Sequence, residues 1–340
     1  MSEIRYNPLE DSYVILAPER LKRPTRLAWE RERASAGCCP FCEGNESMTR
    51  EEIDAIRPEG SLPNTIGWST RVVPNLYKAV AIEVALEHQE EGLYHRYTGF
   101  GAHEVIIDTP KHLTQMDEWS LETFVDWLST LQKRIQDLRR DVRIVSISLF
   151  KNQGVEAGAT QDHSHTQLIG LPIIPTALVA YYQRQHTYYQ THQRALLADI
   201  VDQEIQAQER LVMVEGEFVV WCPYASAYPF EVMLCVVEES GGLEAFTPTS
   251  LQRLATVMQR LLRGMRQILG CFDLNLSIAV PPLQKVAQSE AFFDGLAQSS
   301  RFSLQIRPRM ARHGGFEVST GMMVNTVSPE ESARLLREVL

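Results

Sequence analysis

The 340-residue sequence has no run of about 18 apolar residues, the length a membrane-spanning helix needs. Its opening stretch, Met1 to Arg20, shows no charged-then-apolar leader pattern. The expectation is a chain with no membrane partner, working in the cytoplasm. An excess of basic charge is also missing. With 33 Lys and Arg against 43 Asp and Glu, the formal net charge is −10. That excludes the broad basic face of a nucleic-acid-binding protein. A small anionic ligand stays possible, because it needs only a local basic pocket. Arg20-Leu21-Lys22-Arg23-Pro24 is one candidate, with a solvated charge cluster as the plainer alternative. Cysteine is scarce too: six residues in such a chain are no disulfide scaffold. Cys38, Cys39 and Cys42 are bunched, whereas Cys222, Cys235 and Cys271 stand singly in apolar surroundings and read as core.

What is present suffices for a core, either in one large domain or in two fused ones. The first hundred or so residues give no helical pattern, and 43–66 is polar and turn-rich, hence a loop. His103–Asp108 reads as a strand. Ser120 can cap a helix whose stripe is Leu121, Phe124, Val125, Leu128, Leu131, Ile135 and Leu138. Residues 142–150 alternate and are β-branched, a strand signal. A Gly-containing loop, 151–162, then leads to a short strand at 166–171. The second half repeats the order. Phe230–Val237 is a strand, and Ser250 opens a helix with Leu251, Leu254, Met258, Leu261, Leu262, Met265 and Leu269 on one stripe until Gly270. Residues 274–280 and 302–307 are strands around a loop. The reading is a duplicated α+β unit. Between the copies, 176–212 is rich in Tyr, Gln and His and largely helical, which favours helix packing over a stacking or metal surface.

The chemistry concentrates at 158–167, where His163, Ser164, His165, Thr166 and Gln167 follow Gly158 and Thr160. On a strand, a period of two sets His163, His165 and Gln167 on one face. Phosphate esters repel anionic nucleophiles. A neutral imidazole attacks without that repulsion and leaves readily once protonated. The Gln167 amide can donate to a phosphate oxygen, and backbone N–H groups of the Gly158 loop can cradle others. His165 is therefore the candidate nucleophile, and a covalent adduct implies ping-pong kinetics.

Cys39-Pro40-Phe41-Cys42 is either half of a zinc site or a redox pair. The redox form sits at a helix start in a βαβ unit, a pattern absent here. A closed structural zinc site needs two further ligands, and His112 and His163 are the best candidates. Such an ion would tether the N-terminal segment to the catalytic strand and thereby position His165.

At these residues the sequence resembles the galactose-1-phosphate uridylyltransferase family of the histidine-triad superfamily. The likeness runs along nearly the whole chain: Arg5-Tyr6-Asn7-Pro8-Leu9, the Arg20–Pro24 and Cys39–Cys42 segments, Val73-Pro74-Asn75, Phe150-Lys151-Asn152-Gln153-Gly154, His163–Gln167, and Pro223-Tyr224-Ala225-Ser226-Ala227-Tyr228-Pro229-Phe230-Glu231. The resemblance implies a nucleotidylated His165 assisted by Gln167, and zinc on Cys39, Cys42, His112 and His163. It implies ligand contacts from Arg20, Arg23, Asn152, Gly158, Thr160 and Ser164, with Phe41 and Asn75 on the nucleoside side. It implies two fused histidine-triad-like units, 1–175 and 176–340, sharing an antiparallel-rich sheet flanked by helices, with the catalytic motif only in the first. A homodimer is implied as well.

Two departures from the family pattern bear on substrate. The later strand, which often supplies His ligands to a second metal, reads Phe302-Ser303-Leu304-Gln305-Ile306-Arg307. The C-terminal sugar contacts are replaced by Gly314-Gly315-Phe316-Glu317-Val318-Ser319-Thr320-Gly321, closer to the ADP-sugar phosphorylase branch. The leading expectation is transfer of a nucleoside monophosphate from a UDP-glucose-type donor to a hexose 1-phosphate. AMP transfer from an ADP-sugar to phosphate is the alternative. A hydrolase or dinucleoside polyphosphate phosphorylase uses the same logic, and a zinc-stabilised nucleotide-binding protein without turnover is the reading from another class.

Overall fold

The computed structural model describes residues 2–19, 39–237 and 241–340. Arg20, Arg23 and Cys38 lie outside the described residues. The chain begins with β1 (Glu3–Asn7), β2 (Ser12–Leu16), β3 (Asp54–Ile56) and β4 (Thr70–Pro74). The hairpin of β5 (His88–Glu91) and β6 (Tyr94–Tyr97) follows, then β7 (Ala102–Ile107), α1 (Leu121–Leu138), β8 (Ser146–Gln153) and β9 (His165–Leu171). Two helices, α2 (Thr176–His192) and α3 (Leu196–Ala207), lead to β10 (Leu211–Glu215), β11 (Phe218–Trp221) and β12 (Val232–Val236). The rest is α4 (Pro248–Leu269), β13 (Leu274–Ile278), α5 (Leu296–Ser299), β14 (Ser303–Pro308), α6 (Gly315–Thr320), β15 (Met323–Asn325) and α7 (Pro329–Val339).

Among the described residues ten strands form one sheet, in the order β10-β11-β12-β14-β13-β8-β9-β7-β4-β3. The expected α+β class and the shared, antiparallel-rich sheet are what the structure shows. Each half contributes the same motif. Two neighbouring antiparallel strands are followed by a long helix and then by two more strands, the last of which inserts next to the second. The order is β4-β7-β9-β8 in one half and β11-β12-β14-β13 in the other, and β8 pairs with β13 at the centre.

The periodicity of α1 and α4 explains why both lie on the same face. Phe124, Leu128, Leu131, Ile135 and Leu138 of α1 are buried together with Leu251, Leu254, Met258, Leu261, Leu262 and Met265 of α4. Alternate residues of the central strands complete this core, including Ile147, Leu149, Leu168, Leu276 and Leu304. Burial of a Leu or Phe side chain is worth about 1.5–3 kcal/mol, so this one cluster outweighs any surface ion pair. A buried bidentate pair, Arg134 to Glu104 at 2.7 and 2.8 Å, fixes α1 to β7.

The other strand residues face the opposite side of the sheet. Over the second half that side is covered by Leu196, Leu197 and Val201 of α3 against Val219, Trp221 and Met233. Over the first half a smaller cluster, Trp68, Val73, Val105 and Ile107 with Phe41 packed against it, leaves polar strand residues between the two covers.

Several expected boundaries shift, each for a long-range reason. β8 starts at Ser146 and runs to Gln153, three residues into the expected loop, because Lys151, Asn152 and Gln153 pair with Leu276, Asn275 and Leu274. The α4 cap is Thr247, not Ser250: Thr247 Oγ1 accepts the Ser250 N–H, and Pro248 takes the first helical position. The 43–66 stretch is not all loop, since β3 pairs with β4. Cys222 and Cys235 are buried as expected, but Cys271 is exposed, in the turn after Gly270 ends α4.

Candidate functional site

β9 begins at His165, so alternation holds from that residue: Thr166 and Leu168 point to the helix side, His165 and Gln167 to the other. Trp127 Nε1 donates to Thr166 Oγ1 at 2.8 Å and locks this orientation. His163 precedes the strand and is held separately. Its Nε2–H donates to the Thr109 carbonyl at 2.8 Å, which leaves Nδ1 as the lone-pair nitrogen.

The Cys39–Cys42 turn meets that nitrogen. It closes through Cys42 N–H to the Cys39 carbonyl, and Glu43 N–H donates to the Pro110 carbonyl, which lays the turn beside the segment after β7. Cys39 Sγ and Cys42 Sγ each lie 3.6 Å from His163 Nδ1, and Cys42 Sγ lies 3.4 Å from His112 Nδ1. All four donor atoms fall within 4.8 Å of one another. Tetrahedral zinc with Zn–S near 2.3 Å and Zn–N near 2.05 Å has an S···N edge of about 3.5 Å. The four residues therefore have the spacing and donor chemistry of a closed metal site. Burial pushes the pKa of His163 down to about 4, which keeps it neutral, as a ligand must be.

His165 stands two residues further on. Its Nδ1–H donates to the His163 carbonyl at 2.8 Å. That fixes the tautomer and leaves Nε2 with the lone pair and no partner among the described residues. Burial first, and the Lys151 charge second, lower its pKa, so the ring is uncharged near neutrality. Phe41 lies edge-on to it, with ring centroids 5.5 Å apart.

Beneath His165, on the helix side, lies a charge pair the sequence reading did not single out. Lys151 Nζ donates to Asp108 Oδ2 at 2.6 Å, to Ser164 Oγ at 2.8 Å and to the His165 carbonyl at 3.0 Å. Both charged side chains are fully buried, and burial lowers the Lys151 pKa against the pull of Asp108. Ser164 was expected to contact substrate. Just before the strand it turns instead to the far face, where it is 3% exposed and bonded into this pair.

Gln167 is positioned from β7. Ala79 N–H donates to His103 Nδ1 at 3.0 Å, and His103 Nε2 lies 3.2 Å from Gln167 Oε1. The Gln167 NH2 group then remains for a ligand. Asn75 Nδ2 lies 3.0 Å from the same His103 nitrogen, while its Oδ1 accepts the Tyr77 N–H. His103 is thus a site residue that sequence reading used only as a strand start. Its signal was a polar side chain alternating with Val105 and Ile107.

Asn152, on β8, faces the same side as His165. Its Nδ2 lies beside Gly158, where an added Cβ would approach it to 4.0 Å. Gly158 adopts φ +84°, a left-handed conformation that favours glycine. The loop's amides were expected to cradle phosphate, but those of Ala157, Gly158 and Ala159 are turned inward, onto the Gly154 and Val155 carbonyls. The Asn152 amide is the donor left facing outward there. Thr160 lies exposed further along the same loop.

A cavity of about 460 Å3 lies on this face but over the second half, lined by Tyr181, Arg184, Ser277, Gln305 and Arg307 rather than by His165. It holds no imidazole or thiol; His165 lies apart from it on β9, 6% exposed.

An uncharged imidazole with one nitrogen fixed by a carbonyl and the other presented beside amide donors is the equipment of an enzyme that transfers phosphoryl-type groups through histidine. The comparisons with known proteins specify the group. The family description "Galactose-1-phosphate uridyl transferase, N-terminal domain" matches residues 1–175, and its C-terminal domain matches 181–292. ADP-glucose phosphorylase of Arabidopsis thaliana is 30% identical, covering 99% of this chain and 93% of its own. Galactose-1-phosphate uridylyltransferase of Schizosaccharomyces pombe is 28% identical, over 98% and 94%. The crystal structure of an Arabidopsis thaliana ADP-glucose phosphorylase with bound ADP-glucose superimposes with a TM-score of 0.82 at 28% identity, over the full length of both chains. The chain belongs to the galactose-1-phosphate uridyl transferase family, and it is a nucleotidyltransferase.

Proposed function

We propose that His165 carries the nucleotidyl group covalently, moving a nucleoside monophosphate from a nucleotide sugar to a phosphorylated acceptor. The Nδ1–H···O=C bond from His165 to His163 carries this reading, because it leaves Nε2 as a neutral, oriented nucleophile. Nε2 attacks the α-phosphorus, an Nε2–P bond forms, and the bond to the bridging oxygen breaks. The sugar 1-phosphate leaves with that electron pair. The proton stays on Nδ1, so the ring gains a positive charge, which the His163 carbonyl oxygen accepting that N–H stabilises. Gln167 and Asn152 would donate to the nonbridging oxygens, where negative charge builds. In the second half-reaction an acceptor phosphate oxygen displaces Nε2 by the reverse path.

The leading reading has a UDP-glucose-type donor and a hexose 1-phosphate acceptor, as in the uridylyltransferase relatives. The second has AMP passing from an ADP-sugar to phosphate. It is favoured by the ADP-glucose phosphorylase relative at 30% identity and by the 314–321 segment, where the Glu317 carboxylate is engaged with the Gly314 N–H rather than held out for a sugar. Cys39, Cys42, His112 and His163 would hold zinc as a structural tie. A homodimer fits the exposed apolar residues around the β5–β6 hairpin, with Tyr77 86% and Leu93 93% exposed. No helix among the described residues is long and apolar enough to cross a membrane.

The deciding experiment incubates the protein with UDP-glucose or ADP-glucose labelled in the nucleoside phosphate, without acceptor. Acid-labile label on His165 is expected from one of them, and its identity selects the reading. Absence of label from both removes the covalent mechanism.

A further inference from the structure

The half of the chain that lacks the catalytic motif holds the loop beside the nucleophile, and it does so through β13. Asp273, just before that strand, accepts the Glu156 N–H on Oδ2 at 2.9 Å. Its carboxylate also lies so close to Gly154 that an added Cβ would stand 2.0 Å from Oδ1. Gly154 has φ +84°, so neither the conformation nor the space admits a side chain. Further out, Arg312 forms a bidentate pair with Glu156 at 2.8 and 2.9 Å.

Asn275 is the central contact. It is the β13 partner of Asn152 on β8, and its Nδ2 donates both to Asn152 Oδ1 and to the Ala157 carbonyl, each at 2.9 Å. Its own Oδ1 faces Arg309 Nη1 at 3.3 Å, which fixes which end of the amide is which. An amide has two chemically opposite ends. With Asn152 Oδ1 occupied, the Asn152 NH2 group must point the other way, toward Gly158 and the open face.

We infer that Asn275 is a positioning residue for nucleotidyl transfer: it orients the Asn152 amide as a phosphate donor and fastens the 154–158 loop next to His165. The site is therefore composite, with the reacting groups in one half and the clamp in the other. This role rests on the transferase reading, but the clamp itself is a structural claim that can be measured without turnover.

The test uses the full chain and the variants N275A, N275D and D273N, with ADP-glucose and UDP-glucose as probes. By hydrogen exchange without ligand, amides of 154–160 in N275A and D273N are expected to exchange about tenfold faster, with β9 unchanged. Unchanged exchange in that loop would overturn the clamp. In single turnover, loss of one oriented donor to a charged group predicts about a 10- to 100-fold slower adduct formation in N275A, with KM moving about threefold or less and the melting temperature retained. Wild-type rates in N275A would overturn the orienting role. In N275D the introduced carboxyl donates to Asn152 Oδ1 only when protonated. Arg309 beside that position keeps the carboxyl ionised, so N275D is expected to form adduct at least as slowly as N275A across about pH 6 to 8, and a wild-type rate in N275D would overturn the role as well. If wild type forms no adduct with either probe, the transferase reading fails while the exchange result still judges the clamp.

Discussion

The two halves share a strand order and differ in what their open faces carry. One row of cross-strand partners runs Val105, Gln167, Phe150, Ser277, Gln305, Met233, from β7 across the central β8–β13 pair to β12. Gln167 and Gln305 thus occupy matching places on either side of the centre, and His165 and Ser303 stand two residues before them. His165 is 6% exposed and its imidazole is fixed by backbone. Around Ser303 and Gln305 the surface is covered by α2, and Gln305 is spent on the buried Glu231 carboxylate at 2.6 Å. The same topology carries an imidazole with a free nitrogen in one half and a glutamine bonded to a buried carboxylate in the other. Side-chain chemistry at a few alternating positions, not the fold, makes that division.

Replacing His165, the proposed nucleophile, should break the comparison most severely. His165→Ala is expected to lower adduct formation by at least about four orders of magnitude, because the side chain is a reactant. Ser303→Ala, at the matching place, should leave the rate within about twofold. Rapid-quench measurement of labelled protein compares them, and equal losses would mean the halves are not functionally divided.

Metal removal comes next. Cys39→Ser or exhaustive chelation should lower the melting temperature sharply and cost transfer only in consequence, whereas Cys271→Ser, exposed in the second half, should shift stability by about 0.5 kcal/mol or less. Metal content by atomic absorption alongside thermal melts checks this. Full activity and stability without metal would remove the tether.

Lys151→Met leaves Asp108 buried without its cation and is expected to cost about 3–5 kcal/mol in denaturant unfolding. The double replacement Lys151→Met with Asp108→Leu should recover much of that, since the penalty comes from the orphaned charge. A smaller effect belongs to His103→Ala, which frees the Gln167 amide to turn. About a tenfold loss in rate is expected, with stability changing by about 1 kcal/mol, and an unchanged rate would show that Gln167 needs no orientation.

Much of this arrangement was legible beforehand because the signals were local. The stripes on α1 and α4, the Ser120 cap, the alternation through His165 and Gln167 and the Cys-x-x-Cys turn each depend on residues close in sequence. The two further metal-site candidates could be named because His112 follows the His103–Asp108 strand and His163 stands two residues from His165. What escaped reading depended on partners far along the chain. Asn275 and Asp273 carry no motif, and their meaning comes from meeting 152–157 across the sheet. Ser164 looked like part of a polar motif until its face was known.

By itself the sequence determined the reactive chemistry: an imidazole behind a glycine loop, a thiol pair able to hold metal, and two copies of one strand-and-helix pattern. Only the tertiary structure decided how those parts are aimed. Which amide end faces outward and which charge lies buried under His165 are set by hydrogen bonds between distant segments. Local periodicity records which face a residue occupies, and carries no information about the partner it meets there.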